Sequence, residues 1–352
     1  MSGGVDSSVA AARVCERGLN AFAVTLAMWP GSAERTRDRG CCSVDAVEDA
    51  RRVAATLGLP HYVWNLEGEF ERAVIRPFED AYAAGVTPNP CTRCNEQIKF
   101  GRLLQRVLAA GATHLATGHY ARTGRRQDDA TLHRSREARR DQSYVLHRLG
   151  QDQLRRAVFP VGALETKAAL RAEAQARGLA TAAKPESQDL CFVETTMASD
   201  LEQRLAGRFR PGPILDADGR RIGTHRGLPF YTVGQRSGLG IAPATPDAAP
   251  RYVAEIRSTD NTLVVGPREA LQRTLIDVAG CSWVGAAPPS ATDCVVQLRA
   301  HGAPLDAVVI ERRDDGARLR LVRPAAQVSP GQAAVLYRDD EVLGGGVITG
   351  AA

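Results

Sequence analysis

Short apolar runs alternate with amphipathic helical patterns over about the first 195 of the 352 residues. This alternation is typical of a parallel β-sheet covered by helices, because each crossover between parallel strands needs a connection of helix length. The pattern predicts strands at residues 21–27, 61–65 and 114–117, and helices at residues 8–17, 44–57, 70–84, 96–109 and 167–177. The first part of the chain is therefore predicted to be an α/β domain.

The pattern changes after about residue 192. Residues 207–250 are rich in Gly and Pro and predict a small module of irregular structure. Short β-type runs then recur at residues 252–256, 262–265, 294–299, 307–311, 318–322, 333–337 and 342–348, which favours a small antiparallel barrel or sandwich. We expect an α/β domain at residues 1–198, a central module at 199–265 and a C-terminal antiparallel β-barrel at 266–352.

The composition is that of a globular protein, with 44% hydrophobic and 24% charged residues. The sequence contains neither an apolar run of the roughly 18 residues that span a bilayer nor a signal-peptide pattern, so we expect a cytoplasmic protein without membrane contact. Of 45 Lys and Arg residues, only Lys99, Lys167 and Lys184 are lysines, a bias that usually reflects genome composition. The net charge of +5 permits nucleic-acid binding without establishing it.

A glycine-rich segment at residues 2–8, Ser-Gly-Gly-Val-Asp-Ser-Ser, leads directly into the first predicted helix. The glycines allow a tight turn, and the backbone N–H groups, the hydroxyls and the helix N-terminus all favour an anion. The segment differs from the Walker and dinucleotide-binding patterns, and it resembles the PP-loop of ATP pyrophosphatases. Because such a loop ordinarily follows a central strand, we expect a further strand upstream of Met1.

A Cys-x-x-Cys motif, Cys91 and Cys94, lies where a helix is predicted to begin. Helix N-termini lower thiol pKa values, so Cys94 is a candidate nucleophile. The motif alone also fits half a zinc site, a redox pair or a pair of iron–sulfur ligands. Cys191 is the third candidate. Of the remaining cysteines, Cys15, Cys281 and Cys294 are expected in the core, and the adjacent Cys41 and Cys42 are expected to be partly buried.

These motifs together resemble the tRNA-specific 2-thiouridylases, the bacterial tRNA-uridine 2-sulfurtransferase family. The matching residues occur in the family's order along almost the whole chain. They are residues 2–8, 87–90, 94–100, 116–120, 141–144, 159–162, 191–192, 234–236, 238–240, 330–332 and 344–346.

The resemblance implies a PP-loop domain, a small tRNA-binding module and a C-terminal β-barrel. It also implies that ATP adenylates the C2 oxygen of the wobble uridine of certain tRNAs, after which sulfur replaces that oxygen and AMP leaves. The sulfur would come as a cysteine persulfide from a cysteine desulfurase or a sulfur-relay protein. Adenylation is chemically reasonable, because a carbonyl oxygen leaves poorly and AMP leaves well.

The resemblance assigns roles position by position. ATP, with Mg²⁺, would be held by Ser2, Gly3, Gly4, Val5, Asp6, Ser7, Ser8, Leu26 and Gly118. Cys94 would be the nucleophile and Cys191 would carry the persulfide. Contacts to tRNA would come from Asn89, Pro90, Cys91, His119, Arg140, Asp141, Gln142, Arg299, Ala300 and Gln332, with Asn89 and Pro90 beside the flipped-out target base.

Simpler roles exist for some of these residues. His119 could form only local hydrogen bonds at a strand end, and Asp141 could cap a helix. The arginines at positions 134, 136, 139 and 140 could form a solvated loop, although beside the tRNA resemblance they indicate phosphate contacts.

Two positions depart from the family pattern. Many members carry Asp, a candidate acid–base group, where this chain has Cys91, and Ser237 stands where Lys is usual. Cys91, Cys94 and Cys191 could instead ligate three irons of a [4Fe–4S] cluster, leaving the fourth iron for sulfide. Both the persulfide route and the cluster route remain open.

Two other functions compete with this interpretation. Another PP-loop ligase acting on a small molecule has no use for three separated cysteines or a C-terminal β part. A non-catalytic tRNA-binding protein with a vestigial nucleotide site is disfavoured by the intact glycine-rich loop.

Overall fold

The computed structural model describes residues 1–28, 44–185, 190–193, 196–241, 249–326 and 328–352. Its α-helices are α1 (Val5–Glu16), α2 (Val44–Thr56), α3 (Glu67–Phe70), α4 (Arg76–Ala83), α5 (Pro90–Arg93), α6 (Leu104–Ala109), α7 (Gln151–Leu154), α8 (Lys167–Ala176) and α9 (Met197–Arg204). Across the described residues, no helix combines the length and apolar character needed to cross a membrane.

The strands are β1 (Ala23–Ala27), β2 (His61–Asn65), β3 (Leu115–Ala116), β4 (Ala121–Arg126), β5 (Asp129–Arg134), β6 (Ala157–Val158), β7 (Gly212–Leu215), β8 (Arg221–His225), β9 (Tyr252–Arg257), β10 (Thr262–Gly266), β11 (Arg273–Trp283), β12 (Thr292–Gln297), β13 (Leu305–Arg313), β14 (Gly316–Ala325), β15 (Ala333–Arg338) and β16 (Glu341–Ala351). Parallel strands occur near the N-terminus and antiparallel strands near the C-terminus. The predicted α/β domain, central module and C-terminal β-barrel are all present.

The parallel strands of the first part pair in two groups. β1 pairs with β2, from Ala23 opposite His61 to Ala27 opposite Asn65, and β3 pairs with β6. The three strands predicted here all exist, and β2 has the predicted bounds. The Met1 amino group donates a hydrogen bond to the carbonyl of Val24 in β1. The further strand expected upstream of Met1 stays a prediction.

Two of the predicted helices contain π-helical segments. One covers Glu71–Ile75 between α3 and α4, and the other covers Cys94–Leu103 between α5 and α6. Hydrophobic periodicity assumes 3.6 residues per turn, so it could predict these helices but not their wider turns. π-Helical segments are rare and often lie at functional sites. The second one begins at Cys94.

A hairpin that the sequence analysis did not predict links the first part to the barrel. β4 and β5 pair from Ala121 opposite Arg134 to Arg126 opposite Asp129. β5 also pairs with β16 at His133 and Glu341. The hairpin therefore extends the sheet of the barrel.

The central module contains a four-stranded sheet in the order β8-β7-β10-β9. The prediction of irregular structure was wrong here, because Gly- and Pro-rich turns separate strands of only four to six residues. Ile214, Val253 and Leu263 form the centre of its core. β9 and β10, which the sequence analysis grouped with the later β-runs, belong to this sheet.

The C-terminal part is a closed barrel in the order β11-β14-β13-β12-β15-β16, with β16 pairing back to β11. The barrel was predicted, but its first strand, β11, was not. Val296, Leu319 and Leu336 lie fully buried inside it. A second hydrophobic cluster joins the barrel to the first part, because Tyr337 belongs to the same cluster as Phe78.

Candidate nucleotide and base site

A cleft of about 3090 Å³ brings most of the predicted site residues together. The glycine-rich loop, the start of the Cys91–Cys94 helix and residues 114–120 line it, and residues of the barrel complete it. The predicted residues that line the cleft are Ser2, Gly3, Gly4, Val5, Asp6, Ser7, Leu26, Asn89, Pro90, Cys91, Cys94, Gly118, His119, Arg140, Asp141, Gln142, Cys191, Ala300 and Gln332. Ser8 and Arg299 are predicted site residues that do not line it.

The glycine-rich loop turns tightly against α2. Gly3 has a φ of +66°, and a Cβ there would lie 2.2 Å from the carbonyl oxygen of Ala46, so only glycine fits. Gly4 is the N-cap of α1 and has no side chain with which to cap the helix. The N–H groups of the first turn lack intrahelical partners and carry the positive end of the helix dipole. This is the geometry of a phosphate-binding loop.

The two serines of the loop differ in role. Ser7 Oγ donates to the Gly4 carbonyl at 3.0 Å and lies 3.1 Å from Ser2 Oγ at the cleft surface. Ser8 is fully buried; its Oγ donates to the Gly4 carbonyl at 2.9 Å and accepts a hydrogen bond from Thr181 Oγ1 at 2.9 Å. Ser8 therefore fixes the loop from behind.

Asp6 is held by two side chains at one carboxylate oxygen. Tyr120 donates its hydroxyl to Asp6 Oδ1 at 2.7 Å, and the Lys167 ammonium bonds the same oxygen. The Lys167 side chain is 10% exposed and that of Asp6 33% exposed. The carboxylate is thus oriented on its buried side while Asp6 still lines the cleft.

Gly118 allows the strand end after β3 to approach the loop. A Cβ at Gly118 would lie 2.6 Å from the backbone nitrogen of Ser7, so a larger residue would displace the start of α1. Leu26, in β1, lines the same cleft. The contact of both residues with a nucleotide stays a prediction.

The Cys-x-x-Cys motif lies at a helix start, as predicted. Asn89 is the N-cap of α5, accepting from Thr92 N at 3.3 Å, and Pro90 occupies the first turn, where a missing N–H costs nothing. Cys91 is exposed, whereas Cys94 is 8% exposed at the start of the π-helical segment. Only the first of these two thiols is open to bulk solvent.

His119 is buried and forms local bonds. Its Nδ1 lies 2.8 Å from Thr117 Oγ1 and its Nε2 lies 3.4 Å from Lys99 Nζ. Burial, and then the charge of Lys99, hold the pKa of His119 well below its usual range, so the ring is neutral at pH 7. Phe100 and Phe159 pack against the ring. This geometry matches the simpler role considered for His119, although the residue lines the cleft.

Asp141 and Gln142 are engaged with the protein itself. Asp141 accepts hydrogen bonds from the backbone nitrogens of Ser135 and Ser143 at 3.0 and 3.1 Å and forms an ion pair with Arg134 at 3.0 Å. Gln142 Oε1 accepts from Tyr120 N at 3.0 Å. Asp141 thus forms local bonds, but the N-cap of the 3₁₀ turn that follows is Gln142, so Asp141 is not the helix cap that was considered.

Arg134 is a structural residue rather than part of a solvated loop. Its guanidinium lies 3.5 Å from the centre of the Tyr337 ring and 3.0 Å from Gln297 Oε1. Arg139 is exposed and lines the cleft, and Arg140 is half-buried there. Of the four arginines in the predicted phosphate-contacting loop, Arg134 is therefore engaged within the protein itself.

The barrel contributes the far wall of the cleft. Ala300 and Gln332 line it, and Gln297 Nε2 donates to the Ala300 carbonyl at 2.9 Å. Gly331 has a φ of +91°, and a Cβ there would lie 2.3 Å from Val86 Cγ1. Glycine at this position lets the barrel approach the loop before Asn89.

Cys91, Cys94 and Cys191 all line the cleft. Yet the described part of the chain contains no group of three or more His, Cys, Asp or Glu side chains arranged to hold a metal. The [4Fe–4S] site suggested by the three cysteines stays a prediction.

The other cysteines vary in burial. Cys294 is buried and Cys281 half-buried, and burial raises the pKa of each thiol to about 11. Cys15 and Cys281 were expected in the core but are half-buried, whereas Cys294 is buried as expected. Cys41 and Cys42 lie outside the described residues.

Several residues of this site escaped the sequence analysis. Lys99, Tyr120 and Lys184 line the cleft, and Lys167 and Thr181 bond to the glycine-rich loop from outside it. Lys167 and Lys184 lie far along the chain from the loop they serve. The one sign of these residues in the sequence was that the chain contains so few lysines.

The fold and the cleft define an α/β protein in which a glycine-rich loop and three cysteines line one cleft, joined to a β-barrel. Family models match the three parts in order: a tRNA methyl transferase HUP domain at residues 1–195, a tRNA methyl transferase PRC-barrel domain at 200–267 and an aminomethyltransferase β-barrel domain at 273–348. The chain belongs to the tRNA-specific 2-thiouridylase (MnmA) family.

Curated relatives match the chain over nearly its whole length. The tRNA-specific 2-thiouridylase MnmA of Chloroflexus aurantiacus is 48% identical over 351 residues, covering 99% of this chain and 96% of the relative. The proteins of the same name from Beutenbergia cavernae and Heliobacterium modesticaldum are 47% and 46% identical, covering 98% and 99% of this chain and 92% and 91% of theirs. The resemblance seen in the motifs is thus confirmed along the chain.

Proposed function

We propose that the chain catalyses ATP-dependent 2-thiolation of the wobble uridine in tRNA. The observation that carries the proposal is that the glycine-rich loop, Cys94 and Cys191 open into one cleft. Adenylation and sulfur transfer act on the same carbon–oxygen bond of one base. They therefore need the nucleotide and the sulfur carrier within reach of the same point.

Adenylation is served by the glycine-rich loop. The C2 oxygen of the extruded uracil attacks the α-phosphorus of ATP, and pyrophosphate leaves. The first-turn N–H groups of α1 bind phosphate oxygens. Tyr120 and Lys167 both bond Asp6 Oδ1, so Oδ2 is the oxygen that suits Mg²⁺, an ion that proteins bind through one or two carboxylates together with phosphates.

Sulfur transfer is served by the two cysteines. The terminal sulfur of a persulfide on Cys191 attacks C2, and the C2–O bond breaks as AMP leaves. The Cys94 thiolate then attacks Cys191 Sγ, which breaks the S–S bond toward the base and leaves 2-thiouridine. The resulting disulfide between Cys94 and Cys191 is reduced by a dithiol before the next turnover, and a cysteine desulfurase or relay protein reloads Cys191.

The alternative route through a [4Fe–4S] cluster is less well supported. Cys91, Cys94 and Cys191 share the cleft but do not form a metal-holding group among the described residues. The proposed route needs only Cys94 and Cys191. Cys91 then keeps the contact with the tRNA that the family resemblance assigns to it.

The size of the cleft favours a macromolecular substrate. Small-ligand sites have volumes of roughly 300–1,000 Å³, and this cleft measures about 3090 Å³. A PP-loop ligase acting on a small molecule would not need the barrel as a wall of its cleft.

The test is the reaction itself. Unmodified tRNA is incubated with the full chain, MgATP, cysteine and a cysteine desulfurase, and 2-thiouridine is measured by nucleoside mass spectrometry together with AMP and pyrophosphate. We expect product with the unaltered chain and with Cys15→Ser, whose thiol lies outside the cleft, and none with Cys94→Ser or Cys191→Ser. Binding of tRNA without AMP release would instead support the non-catalytic alternative.

A further inference from the structure

The three lysines of this chain lie around one site. Arginine supplies all the other members of its 45 Lys and Arg residues. Lys99, Lys167 and Lys184 are separated by up to 85 positions in the sequence, yet Lys99 and Lys184 line the cleft and Lys167 bonds the glycine-rich loop. Genome composition explains why lysines are few. It does not explain why those that remain share a site.

Lys184 lies on the cleft wall formed by the chain after α8. Its ammonium forms an ion pair with Asp49 of α2. Arg171 holds the backbone here, donating to the carbonyls of Ala182 and Lys184 at 2.7 and 2.9 Å. Thr181 ties the same segment to Ser8 at 2.9 Å. Lys184 is therefore attached, through backbone and hydroxyl contacts, to the loop that receives phosphate.

Lys167 lies behind the loop at the start of α8. Its side chain is 10% exposed, and its ammonium bonds Asp6 and lies 5.5 Å from the centre of the Tyr120 ring. Because Tyr120 donates to the same oxygen of Asp6, the two groups together fix the carboxylate. Lys167 does not line the cleft, so its role is to position Asp6.

Lys99 lies on the same π-helical segment as Cys94, five residues further on. Its ammonium lies 3.4 Å from Nε2 of His119, and the pKa of His119 is lowered so far that the ring is neutral. A neutral imidazole accepts a hydrogen bond from an ammonium without neutralising its charge. Lys99 therefore places its ammonium on the cleft wall beside His119.

The shape of the cation matters at all three positions. An ammonium is a compact charge with three rotatable donors, whereas a guanidinium is a larger planar fork with fixed donor directions. Around Lys167 the space is already occupied by Asp6 and Tyr120. A larger guanidinium at position 167 would have to displace one of these two groups.

We propose that Lys99 and Lys184 are the cations that bind the phosphates of the nucleotide and of the departing pyrophosphate, and that Lys167 is a positioning residue for Asp6. Each position needs an ammonium rather than a guanidinium. The proposal rests on the use of ATP by this cleft.

The test replaces each lysine by arginine, which preserves charge. Binding of inorganic pyrophosphate and of MgATP is measured by titration calorimetry on the full chain, and thermal melting checks that each variant is folded. We expect Lys99→Arg and Lys184→Arg to weaken pyrophosphate binding about tenfold or more, the effect of one lost charge-assisted hydrogen bond. For Lys167→Arg we expect two results. With EDTA present to remove Mg²⁺, the affinity for pyrophosphate should stay within about twofold of that of the unaltered chain, whereas the affinity for MgATP should fall about tenfold.

The matched control is Arg51→Lys on α2, an exposed residue paired with Glu48, which should change neither affinity. If the unaltered chain binds neither pyrophosphate nor MgATP, the proposed function itself fails. If it binds both and the three arginine variants bind as tightly, the proposed lysine roles are overturned while the function stands. Because the Lys184 side chain is 28% exposed, against 10% for Lys167, the Lys184→Arg variant tests the proposal even if Lys167→Arg does not fold.

Discussion

Gln332, at the start of β15 in the barrel, donates a hydrogen bond from its side-chain Nε2 to the carbonyl oxygen of Thr87, 2.9 Å away and two residues before Asn89. The same nitrogen lies 3.4 Å from the carbonyl oxygen of Pro88. In return, Thr87 N donates to the carbonyl of Pro330 at 3.2 Å. The loop with the predicted base contacts is therefore held by the barrel as well as by its own helix.

Gln332→Ala tests this contact. Loss of its hydrogen bonds, each worth about 0.5–1.5 kcal/mol, should loosen the loop before Asn89 and lower kcat for thiolation by roughly three- to tenfold. Affinity for tRNA, measured by filter binding, should change less than about twofold. Gln272→Ala, at an exposed position before β11, is the control. Weaker tRNA binding with unchanged kcat would make Gln332 a direct tRNA contact instead.

Cys91→Ser separates the two sulfur routes. The persulfide route uses Cys94 and Cys191, so the variant should retain thiolation within a few fold of the original under anaerobic conditions. A cluster needs its third ligand and would be lost with Cys91. Nucleoside mass spectrometry gives the answer, together with iron and sulfide analysis of the purified protein. Loss of product and of bound iron would refute the persulfide route.

Stability should fall as the pH drops below about 6.5. Burial lowers the pKa of His147 to about 4, while its Nδ1 bonds the Tyr144 carbonyl at 2.8 Å. The unfolded chain binds a proton near pH 6.5 and the folded chain does not until about pH 4, so each unit of pH within this window costs up to about 1.4 kcal/mol. Urea unfolding at pH 7.5 and pH 5 measures the loss.

His147→Gln should flatten part of that pH dependence, and the exposed His114→Gln should leave it unchanged. His119 is also buried with a lowered pKa, so some dependence should remain in the His147 variant. An identical loss of stability in the original chain and in His147→Gln would contradict the assignment.

Arg139→Ala should weaken tRNA binding and reduce its salt dependence. Arg139 is exposed and lines the cleft, where it can meet a phosphate. Each such contact contributes slightly less than one unit to the slope of log K against log salt concentration. Binding measured between 50 and 300 mM KCl should give a smaller slope for this variant and an unchanged one for Arg51→Ala. A slope unaffected at position 139 would exclude the phosphate contact.

Local sequence signals predicted the glycine-rich loop and the start of the helix that carries the cysteine motif. Gly3 and Gly4 predicted a tight turn before a helix. In the structure Gly3 packs against α2, and Gly4 is the N-cap of α1. Asn89 and Pro90 predicted the start of the helix that contains Cys91. In each case neighbouring residues determine the geometry, so the sequence alone was sufficient.

Contacts between distant residues could not be predicted in this way. Nothing near Asp6 in the sequence indicates that Lys167 bonds it 161 positions later. Asp141 fits both a tRNA contact and a cap until Arg134 and Ser143 are seen beside it. The pairing of β5 with β16 joins His133 to Glu341, which lie far apart in the sequence, so no local pattern indicates it.

That pairing has a consequence for the growing chain. His133 of β5 and Asp340, next to β16, contact each other across 207 positions of sequence. Until the ribosome has produced β16, β5 has an unpaired edge that can capture a strand of another molecule. Contacts of such long sequence separation also form slowly, because the intervening chain must first lose the entropy of closing a large loop. Synthesis at reduced temperature or with a chaperone should therefore raise the yield of folded protein.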